Sequence, residues 1–190
     1  MRNKFLNSVI IILILAFSVL CGFTYDHLFT KYQIHQYPRH YNDTVVACYY
    51  EYAVPVSVIY GAIKIESNYD SALLSDDGEI GLMQLSRAEY DILSAEIGKK
   101  VDSGLLFEPQ TNIEIGSYKL SKLFEKYQHW RTVYAALYAG ENTVDTWLRN
   151  AEYLDETGDL LIIPDRDTEK YVDKFEKTVD IYRELYESAN

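Results

Sequence analysis

From residue 42 onward, apolar residues recur at helical spacing, and the alternating pattern of a half-buried strand is scarce. One stretch begins at Pro55 and places Ile59 and Ile63 four residues apart, and another begins at Pro109. Proline is favoured in the first turn of a helix. The apolar stripe of the second stretch consists of Ile113, Tyr118, Leu120, Leu123, Phe124 and Tyr127. The sequence therefore predicts a mainly α domain.

Several residues have side chains suited to capping these helices. The predicted caps are Asn42 or Asp43 for the first helix of the domain, Ser86 with Glu89 as a capping box, and Asp167 or Thr168 for the last helix. Gly98 is predicted to end the helix that the capping box starts. The length of 190 residues suits one domain of this kind.

The N-terminus carries a strongly apolar run. Arg2 and Lys4 precede Phe5–Phe23, which is long enough to cross a bilayer as a helix. The positive charges predict that the N-terminus stays inside and that the rest of the chain lies outside the cytoplasm. We therefore predict a single-pass transmembrane anchor over residues 1–23 and a cell-membrane location. A cleaved signal peptide and lipidation of Cys21 are the alternatives.

The segment after the anchor, residues 24–40, is a polar and aromatic mixture without a clear period. We interpret it as a stalk that connects the anchor to a domain over residues 41–190. The two cysteines, Cys21 and Cys48, are too few for a disulfide framework and are expected to be unpaired thiols.

Charge and composition exclude several classes of function. The net charge of −11 provides no basic stripe for phosphates, which argues against a nucleic-acid partner. The four histidines lie in no pair spaced for metal binding, and no Gly-rich phosphate loop is present. No Ser/His/Asp or Cys/His set can be argued either. We therefore expect neither a metal nor a cofactor.

Glu66 lies on the apolar face of the helix that starts at Pro55, because Ile59, Ile63 and Glu66 fall at positions i, i+4 and i+7. Burial and the negative end of the helix dipole both disfavour an ionised carboxylate and raise its pKa. A glutamate of this kind can act as a general acid near neutral pH. The alternative is a carboxylate that snorkels to solvent from the helix end, or one tied to a loop hydroxyl.

The loop after Glu66 offers side chains suited to a sugar. Gly78 and Gly81 allow positive φ or a close backbone approach, Met83 gives a soft apolar surface, and Gln84 is a neutral amide able to bind a hydroxyl group. One acid, a polar loop and this Met/Gln wall are typical of a site for a neutral carbohydrate.

Four ordered blocks resemble the lytic transglycosylases of the soluble, SLT type. The first contains Glu66-Ser67, Tyr69, Ser75, Gly78 and Gly81-Leu82-Met83-Gln84. The later blocks are EPQTNIEIGSYKLSKLF, AALYAGENTVDTWL and IPDRDTEKYV. The resemblance extends roughly from Asn42 to Tyr186.

This resemblance implies a lysozyme-like helical domain that cuts the β-1,4 bond between N-acetylmuramic acid and N-acetylglucosamine in peptidoglycan strands. It implies that Glu66 protonates the glycosidic oxygen and then accepts the proton of the C6 hydroxyl, which leaves a 1,6-anhydro end. It further implies that two serines orient the carboxylate or a substrate amide, and that other residues line the groove near the cleavage site. These residues are Ser67 and Ser75, and then Gly81, Met83, Gln84, Tyr138 and Tyr171.

The chain also departs from the family pattern. Leu137-Tyr138 stands where the family has Tyr-Asn, and Glu79 replaces a small residue. We interpret Asp76, Asp77 and Glu79 as a solvated loop. The alternatives to a lytic transglycosylase are a muramidase of the same fold, with water as nucleophile, and an inactive domain that binds glycan or scaffolds an envelope assembly. The last alternative would bring protein partners from envelope machinery.

Overall fold

The structure, a computed structural model, describes residues 2–99 and 102–187, except for the side chains of residues 2–13 and of Ser103. The chain forms two units, one ending at Pro38 and one beginning at Arg39. The first unit contains helix α1 (Arg2–Gln36).

Helix α1 continues through most of the predicted stalk, since residues 24–36 are helical. Thr24 is compatible with this helix because its hydroxyl donates to the carbonyl oxygens of Leu20 and Cys21, at 3.0 and 2.9 Å. No helix among the described residues is long and apolar enough to cross a membrane. Residues 1–13 of the predicted anchor have side chains outside the described set. The anchor and the extracytoplasmic location stay predictions.

The second unit is built from helices, as the periodicity predicted. Its α-helices are α2 (Asn42–Tyr52), α3 (Val56–Glu66), α4 (Arg87–Glu96), α5 (Pro109–Tyr127), α6 (Trp130–Ala139), α7 (Glu141–Trp147) and α8 (Arg166–Tyr186). Short 3₁₀ helices cover Ser103–Phe107 and Ala151–Tyr153. Between the described residues, β pairing is limited to isolated bridges such as Leu74–Ile80 and Ile80–Leu85. The prediction of a mainly α domain is confirmed.

The predicted capping box is confirmed at the start of α4. The Ser86 hydroxyl accepts the backbone N–H of Glu89 at 3.2 Å, and the Glu89 carboxylate accepts the backbone N–H of Ser86 at 3.1 Å. Gly98 lies two residues after α4, with φ of +69°. Cys21 and Cys48 are unpaired, as expected.

Two other cap predictions are wrong. Asp165, rather than Asp167 or Thr168, caps α8, because its extended backbone places its carboxylate 2.8 Å from the Thr168 N–H while Asp167 and Thr168 are already helical. At the start of α2, the cap position belongs to Tyr41, which is left-handed and makes no side-chain cap.

Helix α3 lies in the core, with every residue from Ser57 to Ile63 buried. Helix α8 packs against it through Phe175 and Val179. A Cβ at Gly61 would lie 2.7 Å from the Val179 Cγ2 atom and 3.3 Å from the Phe175 Cε1 atom. Gly61 therefore permits the close approach of α8 to the helix that ends in Glu66.

Helix α5 holds the α3–α4 loop (residues 67–86) through a single buried side chain, Asn112. The Asn112 amide nitrogen donates to the carbonyl oxygens of Ile80 and Leu106, at 2.8 and 2.9 Å. Its amide oxygen accepts the backbone N–H of Met83 at 2.7 Å. Asn112 has no solvent exposure. A loop without regular strands is thus tied to α5 at two points, and the third contact ties α5 to the 3₁₀ segment.

We predict that Asn112→Ala lowers the free energy of unfolding by roughly 3 kcal/mol or more, because three buried backbone groups each lose a partner worth about 1 kcal/mol or more. Urea denaturation of the full chain, followed by circular dichroism, measures this difference. Asn142→Ala makes the same chemical change at an exposed position of α7 and is expected to stay within about 0.5 kcal/mol of the parent. Equal losses in the two variants would contradict the assignment.

Candidate active site

Glu66 is the last residue of α3, where the helix meets the α3–α4 loop. Its side chain is half-buried, and its Oε1 atom accepts a hydrogen bond from the Tyr171 hydroxyl of α8. Its Oε2 atom accepts no hydrogen bond from any residue that the structure describes. One carboxyl oxygen is therefore held by the protein, and the other remains for a ligand.

Burial raises the pKa of Glu66 above its ordinary value. The hydrogen bond from Tyr171 and the positive charges of Lys119 and Lys174 lower that pKa, while the negative charge of Glu79 raises it further. The net direction is upward, because desolvation is the largest of these effects. The carboxyl therefore keeps its proton to a higher pH than an exposed glutamate would, as a general acid requires.

Tyr171 remains a hydrogen-bond donor across the physiological pH range. Burial raises the pKa of its hydroxyl well above the ordinary value, and the neighbouring charge of Glu66 adds to the rise. The sequence prediction had placed Tyr171 near the cleavage site, and in the structure it contacts the proposed acid directly.

A small cavity surrounds the carboxyl of Glu66, and we call it the Glu66 cavity. Its other lining residues are Ala62, Met83, Leu85, Gly116, Lys119, Leu120 and Leu137. Apart from Glu66 and Lys119, the residues of this lining are apolar. Such surroundings provide little hydration for a carboxylate, which accounts for the direction of the Glu66 pKa.

A groove adjoins this cavity and shares two of its residues, Lys119 and Leu137. We call it the α4–α5 groove, because it extends along these helices towards the N-terminus of α7. Its remaining residues include acidic, basic and apolar side chains: Glu79, Glu89, Ile92, Leu93, Leu123, Lys126 and Glu141. The groove therefore leads to the cavity that contains Glu66.

Ser67 is buried and turns its hydroxyl towards the backbone. The hydroxyl lies 3.1 Å from the Ile63 carbonyl oxygen and 2.9 Å from that of Leu82. It therefore ties the loop to the end of α3, whereas the sequence analysis had expected it to orient the carboxylate or a substrate amide. Ser67 sits next to Glu66 in the chain, but its hydroxyl is engaged on the backbone.

Ser75 also forms its hydrogen bonds within the loop. Its hydroxyl accepts the backbone N–H of Glu79 at 3.0 Å, and its own N–H donates to the Glu79 carbonyl oxygen at 2.9 Å. The expected contact with the catalytic carboxylate is not among the described hydrogen bonds of Ser75. This turn fixes Glu79, which is half-buried and lines the α4–α5 groove. The interpretation of a solvated loop holds for Asp76 and Asp77, which are exposed, and is wrong for Glu79.

Gly81 and Met83 lie where the loop packs on α5; Met83 lines the Glu66 cavity, whereas Gly81, expected in the substrate groove, is not among its lining residues. Gly81 has φ of +82°, and a Cβ there would lie 2.3 Å from the Asn112 amide nitrogen. The Met83 side chain packs on Gly116, where an added Cβ would lie 2.5 Å from its sulfur. Both glycines thus allow the loop to approach α5 closely, and Met83 reaches the Glu66 cavity as predicted from the sequence.

Gln84 is turned inward. The residue is 6% exposed, and its amide nitrogen donates to the Gly81 carbonyl oxygen at 2.7 Å. Its backbone φ of +44° is left-handed. The amide that the sequence suggested for a sugar hydroxyl therefore binds the loop's own backbone, where the Gly81 carbonyl oxygen also accepts the Gln84 backbone N–H at 3.3 Å.

The two residues that depart from the family pattern, Leu137 and Tyr138, lie in different surroundings. Leu137 lines the Glu66 cavity. Tyr138 is 53% exposed, and its ring lies 4.9 Å from the ring of Tyr171, centroid to centroid. Tyr138 thus covers the tyrosine that holds Glu66, while an aliphatic side chain faces the acid itself.

Two residues that matter to the site were not among the predicted site residues. Asn112 belongs to the second resemblance block, but its role depends on backbone groups of the loop that sequence spacing does not reveal. Lys119 lies on α5, one turn after Gly116, and its approach to Glu66 depends on the packing of α5 against α3.

The described residues contain no group of three or more His, Cys, Asp or Glu side chains arranged to hold a metal ion. The site brings together a carboxyl whose pKa is raised, a phenol, an ammonium group and a second carboxyl group at Glu79.

The chain is similar to known lytic transglycosylases. It is 29% identical over 159 residues to the soluble lytic murein transglycosylase of Escherichia coli K12, a match that covers 82% of this chain and 24% of that protein. The fold matches the lytic transglycosylase Slt of Pseudomonas aeruginosa, solved as an inactive Glu→Gln mutant, with a TM-score of 0.73 and 25% identity over 81% of this chain and 25% of that one.

The 70-kDa soluble lytic transglycosylase SLT70 of Escherichia coli gives a TM-score of 0.73 with 27% identity, over 80% of this chain and 25% of that one. The chain thus spans about a quarter of the length of the curated relatives that it matches. The family model of the transglycosylase SLT domain matches residues 45–158, which include Glu66, the loop and α5. The chain belongs to the transglycosylase SLT domain family.

Proposed function

We propose that this chain is a lytic transglycosylase that cuts the β-1,4 bond between N-acetylmuramic acid and N-acetylglucosamine in peptidoglycan. The observation that carries the proposal is the Glu66 carboxyl, which lies in a mostly apolar cavity and is held on one oxygen by Tyr171. Membership of the SLT family supports the reaction class. A relative whose Glu→Gln mutant is inactive supports a glutamate as the reacting group.

In the first step, the protonated Glu66 donates its proton to the glycosidic oxygen while the bond from that oxygen to C1 of the muramic acid breaks. Tyr171 holds Oε1, so the free Oε2 atom is the one that faces the substrate. Burial raises the pKa of this carboxyl, which favours the protonated form that the step needs. The C1 carbon becomes positively charged, and Glu66 becomes a carboxylate.

In the second step, the Glu66 carboxylate accepts the proton of the C6 hydroxyl of the same muramic acid, and O6 forms a bond to C1. The product is a 1,6-anhydro end, and Glu66 regains its proton. No water is consumed, so one carboxyl serves both steps. Glycosidases that use water need a second carboxylate.

A hydrolytic muramidase is the second candidate function, and Glu79 is the observation that favours it. Glu79 lines the groove next to the Glu66 cavity, is half-buried, and shares Lys119 as a neighbour with Glu66. An ionised Glu79 could accept a proton from an attacking water, which would give a reducing end. The two products differ by the mass of one water molecule, so mass spectrometry of a digest separates the two functions.

We predict that Glu66→Gln abolishes the release of anhydromuropeptides from purified peptidoglycan sacculi, because an amide N–H is far too weakly acidic to protonate the glycosidic oxygen. The release is measured by chromatography with mass spectrometry after digestion by the full chain. Asp77→Asn removes a carboxylate from an exposed position of the same loop and is expected to retain the parent rate. A fully active Glu66→Gln variant would exclude the mechanism.

We predict that Tyr171→Phe moves the alkaline limit of activity to higher pH. The hydrogen bond from Tyr171 lowers the pKa of Glu66, so its loss raises that pKa and keeps the acid protonated further into the alkaline range. The pH profile of kcat/KM measures the limit. Tyr50→Phe, at an 80% exposed position of α2, serves as the control. A limit that stays in place or moves to lower pH would count against the contact.

We predict that Glu66→Gln also stabilises the fold, and increasingly so as the pH rises. The folded-state pKa of Glu66 lies above its ordinary value, so the parent loses stability as the pH rises from the unfolded-state pKa through the folded-state pKa. Glutamine carries no charge at any pH and escapes that loss. Thermal denaturation from acid to neutral pH should show the Tm difference growing and then levelling off. A constant difference would contradict the burial effect.

A further inference from the structure

We propose that Lys119 is a positioning residue for the general acid: its ammonium group, held in place by Glu89, sets the pH at which Glu66 gives up its proton. This inference rests on the proposed function, since it concerns the same carboxyl. Lys119 is not a catalytic residue in this proposal, because it acts on Glu66 and not on the substrate.

The position of Lys119 carries the first part of the argument. Its side chain lines the Glu66 cavity and also the α4–α5 groove that leads to it. Among the residues that line the Glu66 cavity, it is the only basic one. Its side chain is 21% exposed, so water and salt screen its charge less than they screen a surface lysine.

The second part is that the ammonium group is fixed. The Lys119 Nζ atom lies 2.7 Å from the Glu89 Oε1 atom. The other oxygen of Glu89, Oε2, accepts hydrogen bonds from the backbone N–H and the hydroxyl of Ser86, at 3.1 and 2.9 Å. The capping box at the start of α4 therefore immobilises the carboxylate that holds Lys119.

The third part is the balance of charges that face Glu66. Tyr171 and Lys174 approach from α8, Glu79 from the loop and Lys119 from α5. Lys174 is exposed, so its charge is more strongly screened than that of Lys119. Lys119 is thus the main positive charge opposing both burial and Glu79.

Glu89 reduces the field that Lys119 exerts, because it lies next to the ammonium group with the opposite charge. Lys119 in turn holds the pKa of the Glu89 carboxyl below its ordinary value, although burial alone would raise it. Removing the charge of Lys119 and removing that of Glu89 should therefore move the deprotonation of Glu66 in opposite directions. Opposite shifts of the Glu66 pKa in the two variants would distinguish an electrostatic role of Lys119 from a general packing role.

The test compares pH profiles of kcat/KM for peptidoglycan digestion by full-length variants. Lys119→Met removes the cation and is expected to move the alkaline limit to higher pH by about half a pH unit or more. Glu89→Gln is expected to move it to lower pH, and glutamine still completes the capping box. Lys119→Arg keeps the charge and should restore the parent profile. Lys177→Met, at an exposed position of α8 outside the linings of the cavity and the groove, is the control and should leave the limit unchanged.

A second measurement does not depend on activity. Titration of the carbon-13-labelled Glu66 carboxyl by NMR, without substrate, should show its midpoint higher in Lys119→Met and lower in Glu89→Gln. A parent protein that releases no muropeptides would overturn the proposed function, while this titration would still decide the inference.

Three results would overturn the inference. The first is a loss of kcat in Lys119→Met that is equal at every pH, which indicates a structural role only. The second is a rise in KM without a change in the alkaline limit, which indicates that Lys119 binds an anionic group of the substrate. The third is an unchanged NMR midpoint for Glu66 in both charge-removing variants.

Discussion

The hydrogen bonds of the Asn112 amide are the interaction on which the site depends. One fully buried side chain satisfies the backbone of Ile80, Met83 and Leu106, and so joins α5 to a loop that has only isolated β bridges among its described residues. The contact requires Gly81, because a Cβ there would overlap the amide nitrogen. A primary amide suits this position because it both donates and accepts, whereas a carboxylate would lack the donors that two of the three contacts need.

The orientation of the polar side chains in the α3–α4 loop explains why a loop of polar sequence lines a mostly apolar cavity. Ser67 and Gln84 both direct their side chains to backbone carbonyl groups of the loop and of α3. Because the Ser67 hydroxyl and the Gln84 amide form these hydrogen bonds, the side chains that line the Glu66 cavity are largely aliphatic or thioether, such as Met83 and Leu137. A carboxyl surrounded in this way is poorly hydrated, and its pKa is raised. The same contacts that stabilise the loop therefore also prepare the acid.

Much of the fold could be predicted from the sequence, because it follows from helical periodicity. The spacing of Glu66 from Ile63 placed it on the apolar face at a helix end, while its role as the acid was predicted from the loop and the later sequence blocks and stays a prediction. The orientation of Gln84 was not predictable, because it depends on which loop carbonyl groups lie within reach of its amide after folding. The half-burial of Glu79 depends on the packing of α4, α5 and α7 around the groove, and local polarity suggested solvent instead. The cap of α8 was not predictable either, because Asp165, Asp167 and Thr168 all have side chains able to cap a helix.

The departure from the family pattern at Leu137-Tyr138 places an aliphatic side chain in the Glu66 cavity, while Tyr171 still donates a hydrogen bond to the Glu66 carboxyl. Leu137 has no hydrogen-bonding group, so it contributes only desolvation to the cavity, which favours the protonated carboxyl. The phenol that contacts Glu66 comes from Tyr171 of α8, and the Tyr138 ring lies against that ring, tilted by 33°. An aliphatic neighbour raises the pKa of a glutamate, and a phenol donor lowers it. The pH range of this site therefore depends on how burial is offset by a few donors and cations inside the cavity, since exposed acids elsewhere on the loop are screened by water and salt.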